Sequence, residues 1–385
     1  MSVPYWLDPP VESYPPLEGD ETVDVAIVGG GVTGLSCARA LATAGLRVRV
    51  LEARTVGGGA SGRNGGFALR GGAESYPTSR ARELWALSEA ALGRLAELAG
   101  DAFRRVGSLR VAASEEELAA VRAEHDALAE DGFAVAWVER DELPPLLAAH
   151  FLGGLFNPPD GALEPGRWSR RLAAHAAAAG AEIAESTRAT ALEAGAVRAG
   201  PHTVACDAVV VATDGYSDGL VPELAAAIRP ARAQMLATGP LPERHFTCPV
   251  YAREGWDYWQ QTPDGRLLIG GWRDAELERE FTSEDEPTAT LQARIEAFAE
   301  RLLGTRPHVT HRWAGLLGCT EGRRPLVGPL RDGFWVAAGY SGHGNVLALA
   351  CGELVAEAIL GRARPELDLF APGCGSATTT QRSGA

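Results

Sequence analysis

The sequence contains no lysine, and all 36 of its basic residues are arginines. This excludes a Schiff-base lysine, or a lysine ammonium beside a cofactor, from any mechanism. Long apolar runs are also missing, since none approaches the ~20 residues that a membrane-spanning helix needs. Residues 1–20 carry prolines and acids where a signal peptide has a basic end and an apolar core. These absences predict a cytoplasmic protein with no membrane partner.

Positive charge is in deficit as well, with 36 basic against 50 acidic residues and a net charge of -14. That balance argues against a nucleic-acid partner, which would need a basic face. The six cysteines show neither a CxxC pair nor paired spacing, so we expect no metal site and no disulfide framework. The length of 385 residues favours two or three folded units or one large two-part enzyme.

Hydrophobic periodicity predicts a βαβ unit near the start of the chain, with a strand at 23–28, a helix at 34–44 and a strand at 47–51. Later elements are predicted as helices at 79–98, 115–130 and 168–180, strands at 182–185, 208–212 and 334–338, and a helix at 344–360. Residues 230–320 favour antiparallel sheet, with a hairpin of 256–260 and 267–269 around a turn at 262–265 that ends in Asp-Gly.

The most specific single signal is a glycine-rich turn between the first strand and the first helix. Gly29, Gly31 and Gly34 fit the pattern GxGxxG. In this pattern the first glycine permits a tight turn, the second admits a pyrophosphate and the third allows close packing of helix on strand. Glu52 follows Gly34 by 18 residues, where a carboxylate can accept the hydroxyls of an adenosine ribose. The context predicts dinucleotide binding, with NAD and FAD both open; an accidental glycine-rich turn is the alternative.

A second glycine-dense segment, GASGRNGG at 59–66, follows the βαβ unit directly. Its small residues would let backbone N–H groups line a further stretch of cofactor. A flexible surface loop is the alternative.

Five motifs in this order resemble the FAD-dependent amine and amino-acid oxidases of the D-amino-acid oxidase superfamily, which includes glycine oxidase and sarcosine oxidase. The motifs are VDVAIVGGG at 23–31 with Glu52, GASGRNGG at 59–66, VVVATDGY at 209–216, WAGLLGCTEGRRP at 313–325 and AAGYSGHG at 337–344. The resemblance covers most of residues 20–372 and is strongest to the γ-glutamylputrescine oxidase branch.

The patterns and the resemblance together predict an α/β fold. A discontinuous, Rossmann-like FAD-binding domain would carry an inserted α+β substrate domain built on an antiparallel sheet. We expect a surface-lying N-terminal extension (1–20), an FAD-binding domain (21–78, 153–222 and 323–371), a substrate domain (79–152 and 223–322) and a flexible tail (372–385).

The resemblance implies non-covalent FAD, with residues 59–66 along the flavin, 212–213 over the pyrophosphate and a helix N-terminus at 339–345 against the pyrimidine end. A helix N-terminus there would stabilise the negative charge of reduced flavin. The implied contacts are Gly29, Gly31, Val32, Thr33, Gly34, Glu52, Ala53, Arg54, Gly59, Ala60, Ser61, Arg63, Asn64, Gly65, Gly66, Ala189, Ala212, Thr213, Gly339, Tyr340, Gly342, His343, Gly344 and Asn345. A purely structural His343 is an equal alternative.

Three departures from the family pattern are informative. The lysine that promotes reaction with oxygen in sarcosine oxidases is absent, which leaves oxygen or another acceptor open. Leu317 stands where glycine oxidase and D-amino-acid oxidase have a carboxylate-binding arginine, unless Arg253 or Arg273 replaces it. The position of the flavin-linking cysteine of sarcosine oxidase falls near Ala314 or Gly315, so FAD is expected to be bound tightly but without a covalent link. Cys319 is expected to be a small core residue rather than a flavin attachment site.

Aromatic residues of the hairpin region are the candidates for a substrate pocket. An amine could lie between aromatic walls through apolar contact and cation–π attraction. The candidates are Tyr251, Arg253, Trp256, Tyr258, Trp259, Trp272 and Trp313, with an ordinary sheet core as the alternative for each. His343 and Tyr258 are the catalytic candidates, and no firm general base is predicted.

We therefore expect an FAD-dependent amine oxidase or dehydrogenase that passes hydride from a CH–NH carbon to flavin N5, after which the imine hydrolyses. Its partners would be an amine or amino-acid-like small molecule and an electron acceptor. The alternatives are an FAD-dependent monooxygenase that uses NAD(P)H, suggested by the Asp-Gly of ATDGYS at 212–217, and a flavin-binding protein with little turnover.

Overall fold

The computed structural model describes residues 2–9, 13–79, 81–217, 219–362 and 364–370, so the predicted tail at 372–385 lies outside the described residues. Its strands are β1 (Glu21–Thr22), β2 (Val25–Val28), β3 (Val48–Leu51), β4 (Phe67–Ala68), β5 (Phe103–Arg104), β6 (Ser108–Val111), β7 (Ala136–Glu139), β8 (Gly153–Asn157), β9 (Gly161–Leu163), β10 (Glu182–Ala184), β11 (Ala189–Glu193), β12 (Ala196–Ala199), β13 (His202–Ala205), β14 (Ala208–Val211), β15 (Arg229–Pro240), β16 (Val250–Ala252), β17 (Asp257–Gln261), β18 (Arg266–Gly271), β19 (Val309–Cys319), β20 (Leu326–Arg331) and β21 (Phe334–Ala338). Its α-helices are α1 (Val32–Thr43), α2 (Ala60–Arg63), α3 (Tyr76–Ser79), α4 (Arg82–Ala99), α5 (Glu115–Glu130), α6 (Pro145–Ala148), α7 (Pro165–Ala178), α8 (Pro222–Ala225), α9 (Leu277–Glu280), α10 (Ala289–Leu303) and α11 (Gly344–Ile359).

A six-stranded sheet in the order β10-β3-β2-β14-β21-β20 forms the first body of the molecule. All of its pairs are parallel except β20 with β21. Every residue of β2 is buried, as expected for a parallel strand that is covered on both faces. Because β2, β14 and β21 run in the same direction, their C-terminal ends meet at one edge of the sheet, where α/β proteins bind ligands.

The two faces of this sheet are covered differently. Val25 and Ile27 face a core made with α1, α4, α7 and α11, whereas Ala26 and Val28 face the small sheet β1-β13-β12-β11. Helices α1 and α11 approach closely, because a Cβ atom on Gly352 would lie only 2.3 Å from the Thr33 carbonyl oxygen. The Ser36 hydroxyl also donates to the Leu349 carbonyl at 2.6 Å. The N-termini of the two helices are thus held at the same edge.

An eight-stranded sheet in the order β19-β15-β18-β17-β16-β6-β8-β7 forms the second body. Its pairs are antiparallel except β16 with β6. One face, here called the helix face, packs on α6 and α10 through Leu236, Trp259 and Ile269. The opposite face, here called the inner face, carries Trp313 and Tyr258 and meets the segment after the βαβ unit.

The predicted α/β fold with an antiparallel second sheet is confirmed, and most predicted elements lie within two or three residues of the observed ones. Helix α1 begins at Val32 rather than at 34 because Gly31 is its N-cap. The predicted domain boundaries stay a prediction. Strand β8 (Gly153–Asn157) pairs with β6 and β7 in the eight-stranded sheet, although residue 153 was assigned to the FAD-binding domain.

The N-terminal extension does not lie wholly on the surface, which corrects the sequence interpretation. Residues Tyr5–Leu7 form a 3-10 helix, and Pro4 is buried. The Trp6 carbonyl lies where a side chain on Gly166 of α7 would project, at 2.2 Å. Apolar bulk in Tyr5, Trp6 and Leu7 outweighs the polar and proline-rich character of the segment.

Candidate active site

The turn from β2 to α1 requires its glycines. Gly29 has φ +113, and a Cβ atom there would lie 2.5 Å from the Ala212 carbonyl oxygen, so the turn packs directly on the end of β14. A Cβ atom on Gly34 would lie 2.0 Å from the Gly29 carbonyl oxygen. No side chain caps α1 at Gly31, so its first backbone N–H groups face the edge of the sheet in the arrangement that binds phosphate. One of them, on Val32, donates to the Ser61 hydroxyl at 3.0 Å.

Glu52 lies beside this turn at the end of β3. Its buried carboxylate accepts the backbone N–H groups of Gly30 at 2.7 Å and of Arg54 at 2.8 Å. Burial raises the pKa of the Glu52 carboxyl, and these two N–H groups act in the opposite direction. Each carboxylate oxygen keeps a second acceptor site, which suits a ribose hydroxyl.

Residues 53 and 54 continue from Glu52 toward the small sheet. The Arg54 guanidinium pairs with Asp285 at 2.7 Å and lies 4.7 Å from the centre of the Tyr216 ring. The backbone N–H groups of Ser186 and Thr187 donate to the carbonyls of Arg54 and Glu52, so residues 186 and 187 lie alongside residues 52–54. Ala189 begins β11 two residues further on.

The glycine-dense segment 59–66 is an ordered link between the two sheets rather than a free loop. It contains the short helix α2, and Asn64 joins it to α11 through two reciprocal amide hydrogen bonds with Asn345, each 3.0 Å long. The Gln260 amide of β17 donates to the carbonyls of Gly65 and Gly66 at 2.5 and 3.0 Å. The backbone of this segment is thereby fixed between the first helix, the last helix and the inner face.

Arg63 is buried and holds this segment in place. Its guanidinium donates to the carbonyls of Gly58, Ala314 and Ser2 at 2.8, 2.8 and 3.1 Å. The Trp313 indole donates back to the Arg63 carbonyl at 2.8 Å. Through these hydrogen bonds Arg63 joins the 59–66 segment to β19.

The turn from β21 to α11 is built around Asp214, which the sequence presents only as one residue of the motif at 209–216. The Asp214 carboxylate accepts backbone N–H groups from Gly318, Gly339 and Tyr340 at 2.9, 2.7 and 3.4 Å. It thus ties the ends of β14, β19 and β21 together. The sequence signal for this role is an Asp shortly after a buried strand, but the three donors come from distant segments. The Tyr340 hydroxyl completes the turn at 2.8 Å from the Thr33 hydroxyl of α1.

His343 is the N-cap of α11 and supplies no side-chain cap. Its Nδ1 atom is buried and has no hydrogen-bond partner among the described residues. Burial, followed by the positive charges of Arg323 and Arg110, lowers the pKa of His343 to about 4. The imidazole is therefore neutral at pH 7.

The inner face presents two tyrosines to this region. The ring of Tyr258 lies 3.2 Å from the position of a Cβ atom on Gly65, and Tyr251 and Tyr258 both contact the Phe67 ring. Burial raises the pKa of Tyr258 to about 12 and raises that of Tyr251 as well. Both hydroxyls are therefore protonated and can donate hydrogen bonds.

The structure separates the sequence-predicted substrate residues instead of bringing them together. Trp259 and Trp272 pack in the helix-face core, and Trp259 is fully buried against Phe151 and Phe298. The strand alternation decides this, because Tyr258 and Trp259 are neighbours and must point to opposite faces. Arg253 covers the Trp272 ring at 4.5 Å. Trp313 faces inward, but its indole N–H is already engaged by the hydrogen bond to the Arg63 carbonyl in the 59–66 segment.

The residues at the sheet edge fit an FAD molecule. Gly31, Thr213, Gly344 and Asn345 are partly exposed although the strands before them are buried, so the edge is accessible. It offers the N-termini of α1 and α11, whose N-cap residues supply no side-chain cap, the Glu52 carboxylate, and the His343 Nδ1 atom, which has no hydrogen-bond partner among the described residues. These are the groups that a pyrophosphate, a ribose and a polar ring edge require.

A family model described as FAD dependent oxidoreductase matches residues 24–358. The chain belongs to this family. The predicted resemblance to the D-amino-acid oxidase superfamily and the predicted FAD cofactor are thereby confirmed.

The chain is similar over most of its length to two named oxidoreductases. The probable oxidoreductase OrdL of Rhizobium meliloti is 32% identical, over 93% of this chain and 87% of its own length. The γ-glutamylputrescine oxidoreductase of Escherichia coli is 30% identical, over 91% of this chain and 86% of its own.

Solved structures share the fold of the FAD-dependent oxidoreductase. L-proline dehydrogenase from P. horikoshii superposes with a TM-score of 0.75 at 23% identity, covering 90% of this chain and 95% of that one. Glycine oxidase from Geobacillus kaustophilus gives 0.74 at 24% identity, covering 94% and 100%. At these identities the likeness concerns the fold.

Two features are absent from the described residues. None of their helices is long and apolar enough to span a bilayer. Within the same residues, no group of three His, Cys, Asp or Glu side chains is arranged to hold a metal ion.

Proposed function

We propose that this protein oxidises a CH–NH bond of an amine or amino-acid-like substrate with FAD held non-covalently along the edge of the six-stranded sheet. One observation carries the proposal: the 59–66 segment is joined through Asn64 to α11 and lies against Tyr258 of the inner face. The names of the relatives, γ-glutamylputrescine oxidoreductase and glycine oxidase, agree with this substrate class.

FAD, when bound, would accept the hydride that leaves the substrate carbon, and this hydride carries both electrons of the oxidation. The chain itself supplies position, polarity and exclusion of water. The uncapped N-terminus of α11 offers a positive dipole end to the negative charge that accumulates during reduction. Tyr251 and Tyr258 form the aromatic wall opposite the 59–66 segment, and their protonated hydroxyls act as donors rather than as bases.

No side chain in this arrangement needs to remove a proton from carbon. The substrate amine loses its ammonium proton to water, and the resulting imine is hydrolysed in water. His343 is neutral, so it can hydrogen-bond to the substrate or the cofactor without adding a charge that repels an ammonium. We keep His343 and Tyr258 as the residues proposed to touch the reacting centre.

The thiol of Cys319 supports the proposed non-covalent attachment. Burial raises the pKa of its thiol, so the nucleophilic thiolate is disfavoured. Acid precipitation should therefore release all yellow colour into the supernatant, and colour retained in the pellet would contradict the proposal.

The decisive experiment mixes the purified yellow protein with amines and amino acids in the absence of oxygen. Loss of oxidised-flavin absorbance with a member of the panel supports the proposal. Bleaching by NADPH alone would instead favour a monooxygenase, and no bleaching by any compound would favour a flavin-binding protein with little turnover. Reoxidation with oxygen and with an artificial acceptor then distinguishes oxidase from dehydrogenase.

A further inference from the structure

We propose that Gln260 and Trp6 are positioning residues that raise the redox potential of the bound flavin by holding backbone carbonyls of the 59–66 segment away from it. This inference rests on the proposed function, which places the flavin along that segment. It goes beyond that function, because it names the residues that set how readily the flavin accepts electrons from any substrate.

Four consecutive carbonyls of the segment accept hydrogen bonds from side chains on one side of its backbone. The pairs are Trp313 with the Arg63 carbonyl at 2.8 Å, Trp6 with that of Asn64 at 2.9 Å, and Gln260 with those of Gly65 and Gly66 at 2.5 and 3.0 Å. Trp313 belongs to the apolar cluster of the inner face, and Trp6 packs against that cluster. The negative ends of four peptide groups are therefore gathered on the side of the inner face.

Gln260 reaches the segment from within β17. Trp259 lies in the helix-face core, so the alternation of the strand turns Gln260 to the inner face. Gln260 is only 2% exposed, and both partners of its Nε2 atom are carbonyl oxygens, which fixes the orientation of the amide. A Cβ atom on Gly66 would lie 2.4 Å from this Nε2 atom, so the amide lies directly against the backbone that it holds.

The other side of the same backbone presents N–H groups, because the N–H and C=O bonds of a trans peptide point in opposite directions. The Gly66 N–H donates at 2.8 Å to the Asn64 Oδ1 atom, which also accepts from the Asn345 amide of α11. The Gly65 N–H has no hydrogen-bond partner among the described residues. The positive side of the segment thus lies toward the N-terminus of α11.

The direction of these peptide groups matters for a flavin, because reduction adds negative charge that N–H groups stabilise and carbonyl oxygens oppose. A peptide group has a dipole of about 3.5 D, so turning one over replaces a favourable contact with an unfavourable one. Gly65 and Gly66 carry no side chain that would prevent such a turn. The Gly66 carbonyl keeps a second donor, the Leu163 N–H at 2.7 Å, whereas the Gly65 carbonyl is held by Gln260 alone.

The first test is the midpoint potential of the holoprotein, measured by dye-linked reduction in the absence of oxygen. Gln260→Met keeps the length of the side chain and removes both donors. The equilibrium constant for two-electron reduction of bound FAD should fall by ~3- to 10-fold, which corresponds to ~15 to 30 mV. Trp6→Phe keeps an aromatic ring and removes one donor, so it should lower the potential as well, and it decides the question if Gln260→Met fails to retain FAD.

Gln261→Met is the matched control. Gln261 is the next residue of β17 and is equally buried, at 2% exposure. Its amide also donates to two backbone carbonyls, those of Glu243 and Gly265 at 2.8 and 3.0 Å, which lie outside the 59–66 segment. This variant should lose thermal stability as Gln260→Met does and leave the potential of the flavin unchanged.

The affinities for the two redox states of FAD distinguish positioning from general support of the structure. A shift in potential equals the difference between the losses of affinity for reduced and for oxidised FAD, because the four states form a closed cycle. Gln260→Met should therefore lose ~3- to 10-fold more affinity for reduced FAD than for oxidised FAD. Equal losses for both forms, or a potential that stays constant or rises, overturn the proposal.

The outcomes separate this inference from the proposed function, since none of these measurements needs a substrate. If no amine bleaches the flavin but the potential falls in Gln260→Met and Trp6→Phe, the positioning role stands and the proposed oxidation fails. If amines bleach the flavin and both variants keep the wild-type potential, the oxidation stands and the positioning role fails.

Discussion

Asn64 and Asn345 are 281 positions apart in the chain and form two reciprocal amide hydrogen bonds of 3.0 Å each. Asn345 additionally donates to the Phe67 carbonyl at 2.8 Å. The pair fixes the distance between the glycine-dense segment and the N-terminus of α11. The Asn64–Asn345 pair therefore links two walls of the proposed flavin site directly.

Replacing Asn345 with leucine should weaken FAD binding by ~5- to 30-fold, because each lost hydrogen bond costs about 1 kcal/mol and unpaired amides remain. The measurement is the dissociation constant of FAD from reconstituted apoprotein. Gln261→Leu in the hairpin, where the amide bonds to His245 and Glu243, is the matched control. An affinity loss of the same size in both variants would mean that Asn345 acts only through general stability.

Gly31→Ala should abolish tight FAD binding while leaving the apoprotein folded. The new Cβ atom would meet only the Ser61 side chain, with the hydroxyl oxygen at 2.8 Å, and would occupy the space proposed for the pyrophosphate. Gly93→Ala, in a part of α4 where nothing lies within 4 Å of the new Cβ, should be neutral or stabilise by up to ~1 kcal/mol. Thermal unfolding of both apoproteins, followed by FAD titration, checks this. Normal FAD affinity in Gly31→Ala would show that the cofactor lies elsewhere.

The pH dependence of turnover should follow the substrate ammonium and not His343. The pKa of His343 is lowered to about 4, so the imidazole stays neutral across the range in which the amine loses its proton. kcat/KM should therefore rise with pH, with the same apparent pKa in wild type and His343→Gln. A limb between pH 6 and 7 that disappears in His343→Gln would show that this imidazole titrates during catalysis.

The same shift affects stability in acid. The unfolded chain binds the His343 proton near its ordinary pKa of 6.5, whereas the folded chain binds it only near 4. Between these values the unfolded state carries more protons, so the free energy of unfolding contributed by His343 falls as the pH falls. Urea denaturation at pH 7 and pH 5 should show a smaller decrease for His343→Gln than for wild type. An equal or larger decrease in the variant would contradict a buried, neutral histidine.

Trp6→Ala should weaken FAD binding through the 59–66 segment. The Trp6 indole donates to the Asn64 carbonyl at 2.9 Å, and its ring lies against Gly66. Loss of this half-buried ring should lower the melting temperature of the holoprotein by several degrees and accelerate FAD release. Val3→Ala, in the same segment but 57% exposed, should change neither. Unchanged FAD release in Trp6→Ala would show that the N-terminal residues cover the 59–66 segment without affecting FAD binding.

Local periodicity predicted the elements well where the residues themselves decide the outcome. Helix α5 (Glu115–Glu130) and strand β21 (Phe334–Ala338) were predicted with the observed bounds. The helix has Ser114 as its N-cap, with the Glu117 N–H donating to the Ser114 hydroxyl, and the strand is a short apolar run before a glycine turn. Such signals act within a few residues and need no tertiary contact.

The amino-acid order determined the glycine turn with its acid, and through them the dinucleotide-binding fold, because steric freedom and charge at Gly29 and Glu52 are properties of the residues themselves. The choice of FAD came from the order of five motifs along the chain. Tertiary packing alone decided the pairing of Asn64 with Asn345, the three donors on Asp214, and the face to which Trp259 turns. Such contacts join segments that are remote in the chain, and the side of a sheet that becomes buried is set by the helices that cover it.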